Sequence, residues 1–288
     1  MKALHLAMIF GMAWPTMAPA AGLVAYRALY SFEPARVDSS TGPVPVDGAI
    51  AYEVSGSECA GYTVATRIGN RFVQDQQGEK LMDLQSTTFE TADGLEFQLD
   101  QTQYVNKTVA DQARISVKRP SPGQVAHGEI KDGKGTQFAV GPEVIFPTAH
   151  EKKLLAAAAK GETRDETLIY DGSDGANYFR AITFIGKKRE AGSYAPDTAN
   201  AEAKPLQGLA SWPFSIGYYA TADKGSDAPV FQASFNMYEN GVTTELLFDY
   251  GTYAMRGRLQ KLEMLPDEAC DGTQQKPKLP DAQGATPQ

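Results

Sequence analysis

Histidine is nearly missing from this chain: three residues in 288, and His5 lies in the first apolar segment. That leaves His127 and His150 as the only imidazoles for acid–base or metal chemistry. His150-Glu151 opens like the zinc-protease pattern H-E-x-x-H, but Leu154 stands where the second ligand belongs, so the pattern fails. His150 then reads as a polar residue in a first helical turn, and His127, beside Gly128 in an alternating segment, as a packing residue. There is no G-x-S-x-G elbow and no glycine-rich phosphate loop. Ser57, in Gly56-Ser57-Glu58-Cys59-Ala60-Gly61, has no base near it in sequence. Asp171-Gly172-Ser173-Asp174-Gly175-Ala176-Asn177 has the look of a calcium loop, yet Ala176 replaces the required sixth glycine and Ile182 the twelfth glutamate. A hairpin loop accounts for it. Carboxylates are numerous enough for a glycosidase pair, but abundance does not give the separation that chemistry needs. The expectation is no catalytic residue, no cofactor and no metal.

Positive charge is also scarce. The formal net charge is −8, a surface that repels phosphate backbones and argues against nucleic-acid binding. The compact basic cluster Lys187-Lys188-Arg189 reads as a solvated strand end. No stretch reaches the ~20 apolar residues of a membrane-spanning helix. The apolar run Leu4 to Met12 is too short for that. With Lys2 before it and Ala18-Pro19-Ala20 after it, residues 1–20 read as a secretory signal. The mature product is then expected to be a soluble periplasmic protein.

Cysteine occurs twice, Cys59 and Cys270, without the C-x-x-C spacing of a redox pair. An even count in an oxidising compartment favours a structural bridge between them.

What the chain does have is alternation of β-branched and aromatic residues broken by turn dipeptides. Strands are expected over Val24–Phe32, Ala49–Val54, Gly61–Ile68, Leu81–Thr91, Leu95–Gln103 and Arg114–Lys118, with a closing meander Phe231–Tyr238, Val242–Tyr250 and Tyr253–Leu265. Asp93-Gly94, Asp132-Gly133, Asp171-Gly172 and Asn240-Gly241 supply turns. One amphipathic helix, about 148–160, is expected to cover or plug a curved sheet. Thr148 is its N-cap, Glu151 completes a capping box, and Gly161 is its stop. Residues 190–208 read as a long surface loop and 271–288 as a disordered polar tail. Residues 21–270 are then one domain. Trp212-Pro213-Phe214 and Tyr218-Tyr219 are candidates for a ligand cavity, though aromatics at strand spacing are commonly plain core.

Several blocks in order carry a family resemblance: Tyr26-Arg27-Ala28-Leu29-Tyr30, Tyr52-Glu53-Val54, Cys59-Ala60-Gly61-Tyr62, Ser86-Thr87-Thr88-Phe89-Glu90, Phe146-Pro147-Thr148, Lys160-Gly161-Glu162, Tyr170-Asp171-Gly172-Ser173, and Asp249-Tyr250-Gly251 through Cys270. Together they resemble the alphaproteobacterial cell-envelope integrity family typified by envelope integrity protein B. Tyr26 departs from the histidine expected in the opening block. The resemblance implies a mainly β fold, a long antiparallel sheet curved into a β-spiral of two partial barrels. It implies a disulfide that maps to Cys59 and Cys270, a role in resistance to envelope stress, and functional association with a periplasmic tetratricopeptide-repeat protein. It also implies similarity to carriers and sensors of lipoproteins, and no enzymatic activity. Three readings compete: a non-enzymatic, monomeric envelope factor that binds a protein or envelope component; a lipid or lipoprotein carrier using the concave sheet face; and a cell-wall or glycan-modifying enzyme.

Overall fold

A computed structural model describes residues 22–38, 44–74, 78–131, 135–193, 201–222 and 227–266. The first eight strands are β1 (Tyr26–Val37), β2 (Val44–Ser57), β3 (Gly61–Gln74), β4 (Gly78–Glu90), β5 (Glu96–Val105), β6 (Thr108–Lys118), β7 (Ala126–Ile130) and β8 (Thr136–Val140). After the short β9 (Val144–Ile145) comes helix α1 (Pro147–Ala159). Then follow β10 (Arg164–Ile169), β11 (Phe179–Ile185), β12 (Ser211–Ala220), β13 (Phe231–Tyr238), β14 (Thr243–Asp249) and β15 (Tyr253–Met264). All fifteen form one sheet, in the order β8-β7-β6-β5-β4-β3-β2-β1-β15-β14-β13-β12-β11-β10-β9. Alternation builds it. In β1, Tyr26, Ala28, Tyr30 and Phe32 are buried while Arg27 and Leu29 face out.

The turns have local causes. Gly94, at φ +67°, closes the β4–β5 hairpin, where the Thr91 hydroxyl donates to Asp93 and accepts the amides of Leu95 and Glu96. Between β5 and β6 the turn is Asn106-Lys107, both at positive φ, with Val105 paired to Thr108. This two-residue turn has a lysine where glycine is usual, which is why residues 104–113 are silent in the sequence pattern. Asp132-Gly133 lies outside the described residues.

The two edge strands are neighbours in sequence. β8 and β9 sit at opposite ends of the strand order, yet only residues 141–143 separate them. Three residues span on the order of 10–14 Å, so the sheet must curl until its edges meet. Two cores result. The larger holds β1–β3, β10–β15 and the helix, including Tyr30, Leu154, Trp212, Phe214, Met237 and Leu259. The smaller lies where the two edges overlap: Phe97 and Leu99 of β5 and Ile115 and Val117 of β6 pack against Val144, Phe146 and Tyr170. The fold is therefore mainly β, a barrel-like spiral of two partial barrels.

Arg119 fastens the seam. Nearly buried, its guanidinium donates to the carbonyls of Pro142 (2.6 Å), Val144 (2.7 Å) and Gly141 (3.4 Å). Arg119→Met keeps the stem but leaves those carbonyls without that donor. We expect a loss of about 2–4 kcal/mol, read as a lower urea midpoint. An unchanged midpoint would show that the seam holds without the guanidinium.

Two expectations change here. Residues 190–208 are not loop throughout: Ala201–Leu206 form a 3-10 helix, and Leu206 and Ala203 are buried. A polar, proline-containing stretch hid an anchor made by two isolated apolar residues. His127 is not a packing residue; it is exposed on β7, because Ala126 and Gly128 take the inward positions of that strand. Lys187 and Lys188 are exposed as expected, whereas Arg189 turns back to meet Asn236 and Glu245.

Candidate functional site

The helix explains the site. Pro147 occupies its first turn, where a missing N–H matters least, and Phe146 is the N-cap residue, with no side-chain cap bond. The expected capping box does not form. A longer-range device replaces it: Glu90, at the end of β4, accepts the Thr148 amide (2.8 Å) and the Ala149 amide (3.0 Å) on its two oxygens. Glu151 is thereby free to point elsewhere. Gly161 stops the helix as expected. It sits at φ +78°, its amide bonds to the Ala158 carbonyl, and the Glu162 amide bonds to Ala157 in a Schellman arrangement.

Both carboxylates are held away from their ordinary acidity. Burial raises Glu90 to about 7, in spite of the two amides that favour its charge. Burial and the nearby Glu90 charge raise Glu151 to about 8. Glu151 faces Tyr26 and Tyr30 of β1 and Tyr52 of β2, and interacts with Tyr218 of β12. The Gly241 turn between β13 and β14 approaches its Oε1. Tyr30 donates its hydroxyl to the Thr243 carbonyl at 2.8 Å, and the Tyr26 and Tyr52 rings lie 5.7 Å apart. Although protein surrounds Glu151, part of its surface stays open to water. The same holds for the inward Tyr52, Val64, Ile68, Tyr218, Phe235, Phe248 and Tyr253, which pack on the larger core but are not sealed within it. The inner face of the larger barrel is therefore not sealed from water.

The two ends of this interior differ. Near the helix, Lys152 meets Glu58 at 2.5 Å, and the Tyr62 hydroxyl donates to Glu58 and to the Leu23 carbonyl. At the opposite end of β14, aromatic rings touch in series. Phe179 meets Tyr218 (6.5 Å), Tyr218 meets Phe231 (5.7 Å), Phe231 meets Tyr250 (5.0 Å), Tyr250 meets Tyr253 (4.9 Å) and Tyr253 meets Phe72 (5.8 Å). Of the aromatic candidates, Trp212 and Phe214 are core, Tyr218 belongs to this series, and Tyr219 stacks under Arg180.

The far side of the helix is a clamp. Lys153 binds Asp165 (2.6 Å) and Thr167, and Thr167 donates to Asp165 (2.6 Å). His150 is indeed in the first turns but is buried. Burial, with Lys153 adding to it, pushes its pKa down to about 4, so it is neutral 4.0 Å from Asp165. A histidine 5% exposed behind a helix offers no route to a substrate. Glu90 and Glu151 do converge as a carboxylate pair, but both Glu90 oxygens are occupied by the helix amides. Among the described residues no three His, Cys, Asp or Glu side chains gather as a metal site, and Asp171 and Asp174 serve their own loop by bonding Ser173 and Asn177. No described helix is long and apolar enough to cross a membrane.

A profile of the EipB-like family matches residues 17–266. The chain belongs to the EipB-like family. It is 32% identical over 255 residues to the cell envelope integrity protein EipB of Brucella abortus (strain 2308), covering 86% of each chain. Its fold matches the crystal structure of a β-barrel-like protein of a domain of unknown function from Brucella abortus. The TM-score is 0.78 with 29% identity, covering 86% of this chain and all of that one. These relatives indicate a cell-envelope integrity role and no enzymatic family.

Within this family frame, Tyr26 is a buried member of the tyrosine group rather than an exposed acid–base residue. Cys59 sits half-buried in the turn between β2 and β3; Cys270 lies outside the described residues. Sequence reasoning missed Glu90. The available signal was its place in β4 opposite Tyr62 and Phe97, a glutamate on the inward face.

Proposed function

We propose that the chain is a periplasmic, non-enzymatic envelope-integrity factor that works by holding an envelope component in the interior of the larger barrel. The partly water-open inner face, with a polar helix end and an aromatic end, carries this reading. Ligand sites combine apolar walls with a few convergent polar groups, and this interior has both. The envelope role named for the Brucella relative supports the setting. Residues 1–20 as an export signal and a bridge from Cys59 to Cys270 belong to the same reading.

Native mass spectrometry of the protein, released gently from its own periplasm, tests it. We expect an excess mass in the lipid range that denaturation removes. Ile68→Trp, which fills the interior, should lose that mass and fail to restore detergent resistance to a strain lacking the protein, while melting like the parent. A bare monomer from both would overturn the reading and direct attention to surface contacts with a protein partner.

A further inference from the structure

Glu151 has a combination that the envelope reading does not explain. It lies inside an apolar interior, water reaches it, and among the described residues it has no hydrogen-bond or ion-pair partner. An unpaired carboxyl in such surroundings is strongly disfavoured in its charged form. Natural folds retain one mainly where something completes it. The neighbouring charges are of the wrong kind to do so. Glu90 repels it from β4, and Lys152, one residue on, is taken by Glu58. Tyr26 and Tyr30 face it from β1, Tyr52 from β2 and Tyr218 from β12, with Asp171 behind Tyr218. No cationic group from these elements meets it.

We propose that the interior takes an amphiphile with an amine head, the ammonium seated on Glu151 beside Tyr52, and the apolar tail lying along Ile68, Phe235 and Phe248. This deepens the interior-binding reading and rests on it. Three observations select the amine. The unpaired carboxylate supplies the counter-charge. The half-buried Tyr52, whose phenol group interacts with Glu151, offers an oxygen that accepts from an ammonium group. Once Glu151 is charged, an anionic head would meet like charge from it and from Glu90, and a neutral head would leave that charge uncompensated. The tail path is the set of inward side chains that remain partly open, leading toward the aromatic end.

Binding also moves a proton. In the empty interior the Glu151 carboxyl is protonated below about pH 8; seating an ammonium ion there releases that proton to solvent. Amine affinity therefore rises up to roughly tenfold per pH unit between pH 6 and 8.

Titration calorimetry with dodecylamine, dodecanol and dodecanoate, each below its micellar concentration, tests this on the purified full chain. Dodecylamine should bind at least tenfold more tightly than dodecanol at pH 8, and dodecanoate more weakly than both. Glu151→Gln is isosteric and removes a disfavoured charge, so it should melt no lower than the parent. It should lose at least tenfold in dodecylamine affinity together with the pH slope, leaving dodecanol unchanged. Equal binding of amine and alcohol, or an unaltered Glu151→Gln, overturns the amine assignment while leaving an interior site. Failure of all three ligands to bind overturns the interior-binding reading itself.

Discussion

Serine at Cys59 or at Cys270 is expected to lower the unfolding free energy by about 2–5 kcal/mol under oxidising conditions. The geometry that supports a bridge between them is a chain of neighbours at the helix end of the barrel. The Leu265 amide donates to the Ala25 carbonyl at 2.9 Å, so the chain leaves β15 beside residue 25. Gly22 and Leu23, just before it, touch Glu58 and Tyr62, which flank the Cys59 turn. From residue 265, five more residues reach roughly 16–18 Å when extended, ample for that distance. The bridge we propose closes a loop of 211 residues and holds the end of β15 to the β2–β3 turn, where the long central strands begin. In the chain-entropy picture a loop of that length gives the large end of the range, with native strain reducing it. Urea melts with and without reductant check this. The parent should fall to the level of the serine variants when reduced, and the variants should not respond. A parent indifferent to reductant would remove the bridge from the account.

The sheet was legible because its causes are local. Ala49–Val54, Gly61–Ile68 and the meander from Phe231 to Met264 alternate clearly, and Asp93-Gly94 and Asn240-Gly241 mark their own turns. Boundaries came out short in β2 and β3, where the outer halves carry Asp47 and Arg71, an ion pair across the sheet face that breaks the apolar pattern. The site was much less legible, since each of its features is a long-range coincidence. Thr148 and Glu151 have the spacing of a capping box, but Glu90, fifty-eight residues earlier, outcompetes that local solution by offering both amides a carboxylate. Once the cap is supplied from outside, Glu151 turns into the barrel. No periodicity in sequence registers that exchange. Tyr26, Tyr30 and Tyr52 were visible as members of family blocks and Tyr218 as a cavity candidate, yet their meeting on one carboxylate depends on β1, β2 and β12 curving around a helix.

The exchange has a measurable consequence: stability should climb as the pH falls from 8 toward 5. Glu90 and Glu151 have folded-state pKa values raised to about 7 and about 8 from an ordinary 4.5. Between 4.5 and those values the folded state holds protons that the unfolded chain releases, so stability is greatest below the unfolded pKa and is lost as the pH rises through the folded one. His150 acts in the opposite sense. Its pKa is pushed from 6.5 to about 4, so the unfolded chain binds its proton first, and acidification through that window removes stability. Two carboxyls against one imidazole leave a net gain down to about pH 5. Below that His150 dominates, joined by Asp165, whose charge Lys153 and Thr167 favour despite its burial. Water in the interior screens Glu151, and the two carboxyls titrate as a coupled pair, which trims the total to about 2–4 kcal/mol between pH 8 and 5. Thermal melts across pH 4–9 should therefore peak near pH 5. Glu151→Gln should flatten the alkaline limb and stabilise the protein at pH 8, by about 2–3 kcal/mol. His150→Gln should extend the plateau to lower pH. A parent whose melting temperature is flat from pH 5 to 8 would mean that the two carboxyls are solvated in the native state, and that the helix is held without their protons.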